Sequence, residues 1–260
     1  SGGDEDAAAL AAAAVLAEPF GAELAGIFTP ADLADLMPWM GEAFMGGVQA
    51  SALESLKEAT AIGEARAREA AERCTYGKVR FATLQTPVWA GLSAEGRLSD
   101  VVVFMDSAAR GRGPLAESFQ QMVADEQRPV LIARPGLKVG GCVVIGWDGG
   151  KEASRAARLA LPLLEKASRV VIVYSPKAGG RTIDPTRLQD YYAQRRLQAE
   201  VELLPSSGDV GHALLDAAGR HGACLLVAGA FGHPRLQEFI FGGTTRTLLN
   251  SDGPSLFLSH

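Results

Sequence analysis

Cysteine is scarce. Cys74, Cys142 and Cys224 are the only three, odd in number and far apart, and no Cys-x-x-Cys occurs. This argues against a disulfide framework and reads as reduced residues in a cytosolic protein. Cys142 and Cys224 each open an apolar run, where a cysteine serves packing more often than metal or redox chemistry. Histidine is also sparse. His212, His221, His233 and His260 are dispersed, and His212 and His221 stand nine apart on different faces of one helical segment, so they form no ligand pair. Basic charge is in deficit: 25 Lys and Arg against 30 Asp and Glu give a net charge of −5, which argues against a general nucleic-acid surface. No apolar run reaches the roughly 18–20 residues of a membrane helix. Residues 7–16 are alanine-rich and follow acidic residues, which is not the basic start of a secretory signal. Also missing are a Gly-Lys-Ser/Thr phosphate loop, a Gly-x-Ser-x-Gly elbow and a His-Glu-x-x-His pair. No general base stands beside a nucleophile, so no catalytic residue, metal ligand set or dedicated catalytic apparatus is expected.

What the chain does have is apolar pattern. With 47% hydrophobic and 21% charged residues it is globular, and 260 residues suit one large or two ordinary domains. Short apolar runs alternate with helical segments. In the first half, strands are expected at 22–28, 78–83, 101–104 and 129–133, with long helical character from about 30 to 74 and a solvated helix at 64–72. In the second half they are expected at 142–147, 170–174, 200–204, 225–228 and 255–258, with helices at 152–164, near 186–195, at 210–221 and at 244–250. Alternation of this kind implies parallel, doubly wound sheets with right-handed crossovers.

The two halves echo each other, 1–135 and 140–260, joined at Pro135-Gly136. Gly2-Gly3-Asp4-Glu5 leads into an alanine-rich helix, as Gly149-Gly150-Lys151-Glu152 does. Arg128-Pro129-Val130-Leu131 parallels Gly253-Pro254-Ser255-Leu256. The strand at 142–147 has no counterpart ahead of the first helix, which suggests further residues upstream of Ser1. The repeat is unequal in chemistry. The first half carries 106–114, read as a solvated basic loop with Arg110 and Arg112, where the second half carries glycines.

Those glycines are the chain's most informative stretch. The run Leu225-Leu226-Val227-Ala228-Gly229 reads as a buried strand, followed by Gly232, then Gly242-Gly243-Thr244-Thr245 and a short helix through Leu248 and Leu249. Glycine permits sharp turns and close ligand approach, and a helix amino end offers free N–H groups and a favourable dipole to an anion. Thr244 or Thr245 can cap that helix. Arg235 can meet a phosphate, Glu238 would repel one, and His233 can touch a ligand and titrate near neutrality. In open α/β sheets such ligands sit beyond the carboxyl ends of the strands, which here points to Asp148 as well. An aspartate there can equally be a turn residue capping the following helix.

The spacing Gly229-x-x-Gly232-x9-Gly242, with Gly229-Ala230-Phe231-Gly232-His233 and Phe241-Gly242-Gly243-Thr244-Thr245-Arg246 around it, resembles the nucleotide loop of the universal stress protein family. It looks most like the second half of tandem members from proteobacteria. The resemblance implies two Rossmann-like domains, the first degenerate, pairing as a pseudo-dimer through 129–133 and 255–258, with a further homodimer possible. It implies a cytoplasmic stress-response protein that binds ATP with Mg²⁺ in its second domain, without membrane or nucleic-acid partners. Residue by residue, it assigns the nucleotide to Asp148, Val173, Gly229, Gly232, His233, Arg235, Gly242, Gly243 and Thr244, with adenine near Val173 and Tyr174. Gly243 departs from the pattern. ATP-binding members carry Ser or Thr there, so the phosphate loses a hydroxyl partner unless Thr244 supplies one.

Two readings follow. One is a non-catalytic nucleotide-sensing module, with weak ATP hydrolysis left open. The other is a ligand-free scaffold acting through dimerisation and the Met-rich segment 30–45.

Overall fold

A computed structural model describes residues 1–30, 47–84, 88–178, 181–205, 208–230 and 243–260. The first half contains α1 (Asp6–Ala17), β1 (Leu24–Phe28), α2 (Gly47–Glu72), β2 (Val79–Thr83), α3 (Val88–Arg97), β3 (Val102–Met105), α4 (Asp106–Ala109), α5 (Ala116–Gln120) and β4 (Val130–Ala133). The second contains β5 (Cys142–Trp147), α6 (Lys151–Leu159), α7 (Leu161–Lys166), β6 (Arg169–Tyr174), a small hairpin of β7 (Lys177–Ala178) and β8 (Arg181–Thr182), α8 (Thr186–Ala193), β9 (Glu200–Leu203), α9 (Val210–Arg220), β10 (Leu225–Gly229), α10 (Gly243–Asn250) and β11 (Ser255–Ser259).

Seven strands form one sheet in the order β3-β4-β11-β10-β5-β6-β9, while β1 and β2 make a separate parallel pair. The five strands that the second half gives to this sheet are all parallel to their second-half neighbours. The chain runs outward from β5 to β6 and β9, then returns to the other side of β5 for β10 and β11. The strand order therefore reverses between β5 and β10. In this seven-stranded sheet the antiparallel pairing joins the halves: Ile132 faces Leu256, Leu131 faces Phe257 and Val130 faces Leu258. These are the two segments expected to pair.

The sheet is covered on both faces, as the near-continuous apolar strands require. On one face, α9 and α10 pack with Phe119, Met122 and Val123 of the first half. On the other, α1, α6, α7 and α8 pack over Leu131, Ile145, Val227 and Phe257. Cys142 and Cys224 do stand at the starts of adjacent strands; the Cys224 Sγ donates to the Cys142 and Lys138 carbonyls, and desolvation raises both thiols above their ordinary range. Among the described residues, no helix is long and apolar enough to cross a membrane.

Three expectations change. The helix expected over 152–164 breaks at Ala160, because Pro162 lacks the N–H that would continue the ladder. The loop read at 106–114 opens with the single turn α4. The hairpin β7–β8 was not expected from pattern, being two residues per strand. The Met-rich segment 30–45 lies outside the described residues apart from Pro30.

One local device bears on the second half. Asp209 caps α9: its Oδ1 accepts the His212 N–H at 2.8 Å, and that hydrogen bond holds the carboxyl below its ordinary range. Asp209→Ala should destabilise by about 1 kcal/mol in urea titrations at neutral pH. The folded pKa is depressed, so this contribution is present above the ordinary aspartate range and fades as pH falls towards the folded value. A difference between the variant and wild type that stays constant down into acid would rule out the cap as its source.

Candidate functional site

The switch point brings two sequence-distant candidates together. Asp148 follows β5 and Gly229 ends β10, and these strands are neighbours. The Asp148 side chain makes the turn into α6: its Oδ1 accepts the Gly150 N–H at 2.8 Å. The turn occupies that one oxygen, and the carboxylate is exposed at the strand ends. Gly149 sits at φ +69°, a conformation that favours glycine. The buried Ile183, from the segment after β8, reaches over this turn, its Cδ1 3.5 Å from where a Gly149 Cβ would stand.

Gly229 is required by packing. A Cβ there would lie 2.5 Å from the Ala153 nitrogen, 2.7 Å from the Glu152 carbonyl carbon and 2.9 Å from the Glu152 Cβ. The amino end of α6 thus rests directly on the end of β10. Glu152, buried in the first turn of α6, puts a carboxylate beside this contact. Its Oε1 lies 3.3 Å from Lys151 Nζ yet makes no hydrogen bond. Ser259, level with Gly229 on β11 and wholly buried, also has an unpartnered hydroxyl, and so does the Trp147 indole N–H at the end of β5. None of these three was singled out from sequence as a site residue, although Glu152 was visible in the repeated Gly-Gly-x-Glu. The carboxylate of Glu152 disfavours an anion at the α6 side of Gly229.

The remaining candidates separate. Val173 is fully buried, packed among the side chains under α9 and α10, so its side chain is not at the surface of the strand ends. Gly243 is the first residue of α10, exposed, with no described atom within 4 Å of a Cβ placed on it. Thr244 is half-buried one position on. Because the helix already begins at Gly243, neither Thr244 nor the buried Thr245 is its cap, which corrects the expectation from sequence. Gly232, His233, Arg235 and Gly242 lie outside the described residues. α10 is fixed from the other side by α9, where Gly211 approaches so closely that a Cβ would lie 2.6 Å from Thr247 Cβ.

The first half shows what has replaced this arrangement. Matching Pro129 to Pro254, and hence β3–β4 to β10–β11 by register, puts Asp106 at the place of Gly229 and Arg134 at the place of Ser259. These two form an ion pair, Arg134 Nε to Asp106 Oδ1 at 2.7 Å, with the guanidinium buried. Asp106 Oδ2 is also 2.5 Å from Arg110 Nε. Ser107 donates to Glu5, the counterpart of Glu152, and ties α4 to the start of α1. Arg110 is therefore not the solvated loop cation expected from sequence. It donates to Asp252 at 2.8 Å, an interaction that raises its pKa and lowers that of Asp252. Carboxylates at 5 and 106 and a committed arginine leave this end of the first half unsuited to a phosphate.

No protein-family model matches the sequence, and no curated protein does. Solved structures do. A universal stress protein from Archaeoglobus fulgidus DSM 4304 superposes over 95% of this chain and 90% of its own, with a TM-score of 0.59 at 13% identity. A protein of unknown function from Pseudomonas aeruginosa PAO1 covers 95% of this chain and 85% of its own, with a TM-score of 0.50 at 16% identity. A shorter Archaeoglobus fulgidus universal stress protein, solved in complex with dAMP, covers 47% of this chain at a TM-score of 0.35, too slight a likeness to bear on the ligand here. The architecture and the superposition on the Archaeoglobus fulgidus DSM 4304 protein agree: the chain has the α/β fold of the universal stress proteins.

Proposed function

We propose that the second half is a non-catalytic module of stress response that binds an adenine nucleotide, ATP in the first instance, across the carboxyl ends of β5 and β10. The observation that supports this most is the reversal of strand order between those strands, because Asp148 and Gly229 then stand at neighbouring strand ends. In sequence, the described residue after Ala230 is Gly243, which opens α10. The phosphates lie beside Gly229 and meet the N–H groups opening α10. Asp148 would supply one carboxylate towards a Mg²⁺ brought by the phosphates, which would neutralise part of their charge. The base lies near the end of β6, where Tyr174 is half-buried.

The test is calorimetric titration of nucleotide-stripped protein with ATP, ADP and AMP, with and without Mg²⁺. Saturation near one equivalent per chain is the expected result. Gly243→Ser sharpens it. Space is open there among the described residues, so the hydroxyl is accommodated. One hydrogen bond to an anion should tighten binding about tenfold. Absence of heat for both proteins at millimolar nucleotide would end this reading and turn attention to the ligand-free scaffold.

A further inference from the structure

The arginines of the first half do more than neutralise Asp106. Arg134 Nη2 donates to the carbonyls of Leu248 at 2.9 Å and Leu249 at 3.2 Å, and its Nη1 donates to Pro254 O at 3.3 Å. Arg110 reaches Asn250 O and Ser251 O, both at 3.4 Å, besides Asp252. Two guanidinium groups of one half thus take up the carbonyls at the carboxyl end of α10, a helix of the other half. The last carbonyls of a helix have no partner within it, and cations there are favoured by its dipole. Asp106 holds both guanidinium groups in place. The arrangement is one-way. Ser259, at the place of Arg134, has too short a side chain to return the contact, and its hydroxyl makes no hydrogen bond.

We infer that the first half has exchanged a ligand site for a clamp, in which Arg134 and Arg110 position α10 and so set the nucleotide affinity of its amino end. This rests on the nucleotide reading of the second half. α10 is eight residues, about 12 Å. A rigid rod this short, anchored at one end by two arginines and at mid-length by the close approach of Gly211 to Thr247, has its other end fixed relative to Gly229 and Asp148. Arg134 and Arg110 touch no ligand; they are positioning residues.

The experiment compares wild type, Arg110→Met, Arg110→Lys and Arg134→Lys by ATP titration and by amide hydrogen exchange at 243–250. Arg110 is partly exposed, so its variants are expected to fold, and thermal unfolding checks this. The expected result is binding weakened about fivefold in Arg110→Met and more in Arg134→Lys, which loses the planar fork. Exchange should be faster at 243–250 and unchanged in β5 and β6, and Arg110→Lys should recover most of the affinity. Wild-type affinity in both Arg110→Met and Arg134→Lys would overturn the inference, as would a loss of protection spread evenly over the second half. If wild type itself binds no nucleotide, the functional reading has failed. Exchange then decides the clamp alone: faster exchange confined to 243–250 upholds it, and unchanged exchange overturns it.

Discussion

Gly229→Ala is expected to lower the free energy of unfolding by about 3 kcal/mol, the upper part of the range for overpacking a buried contact. The added methyl would stand 2.5 Å from the Ala153 nitrogen and 2.7 Å from the Glu152 carbonyl carbon. Both are main-chain atoms, so no rotamer change relieves the clash; α6 must move bodily away from β10. Moving it also disturbs the Asp148 turn, whose Oδ1 holds Gly150 at the start of the same helix. A nucleotide at the crevice should therefore lose affinity as well. Gly219→Ala is the control. It lies within α9, nothing approaches its Cβ position within 4 Å, and helix propensity predicts a neutral or stabilising change of up to about 1 kcal/mol. Urea unfolding of the three proteins decides the matter. Equal midpoints for wild type and Gly229→Ala would show that α6 yields easily, and the glycine would then have to be explained by the ligand alone.

How much of this was legible beforehand depends on the range of the interaction. Strands such as Cys142–Trp147 and Leu225–Gly229 stand out because both their faces are buried, so the apolar run is uninterrupted. Alternation predicts a doubly wound sheet, but which strands flank the reversal is seen only in the sheet order, where β10 and β6 stand on either side of β5. The place of Gly229 was marked by spacing, but its reason was not: nothing local reveals that Glu152 and Ala153, some 76 residues earlier, press on it. The same limit hid the partners of Arg110 and Arg134. Asp106 is close in sequence to Arg110, but Asp252 and the carbonyls of 248–251 come from the other end of the chain. An arginine in a glycine-bearing loop looks solvated until the fold supplies its acceptors. The pattern Gly-Gly-Thr-Thr predicts a cap at Thr244 or Thr245, while both lie within the helix Gly243–Asn250.

The seam between the halves carries the other large effect. Phe257→Ala should cost about 3–5 kcal/mol, as expected for a large aromatic removed from a packed interior. Phe257 is 2% exposed on β11, opposite Leu131 of β4, and it packs into the layer beneath α1 and α6. Every residue of β4 and β11 is buried, so the gap left by the ring cannot open to water, and the backbone pairing resists collapse into it. The decisive question is where the loss is felt. Because β4 and β11 are neighbours in one seven-stranded sheet, the destabilisation should reach both halves. Exchange protection at β3, beside the Phe104–Phe119 edge-to-face pair, should fall together with protection at β6. A loss confined to β10 and β11, with β3 and β4 still protected, would mean that the halves open separately across the antiparallel pairing. The clamp from Arg134 and Arg110 onto α10 would then have to hold two independently opening bodies together through a few carbonyl hydrogen bonds and the exposed Arg110–Asp252 ion pair, which contribute little by themselves. A shared loss supports the other order of cause: the continuous sheet brings the halves together, and the arginines, already placed by β4 and α4, need only direct the end of one helix.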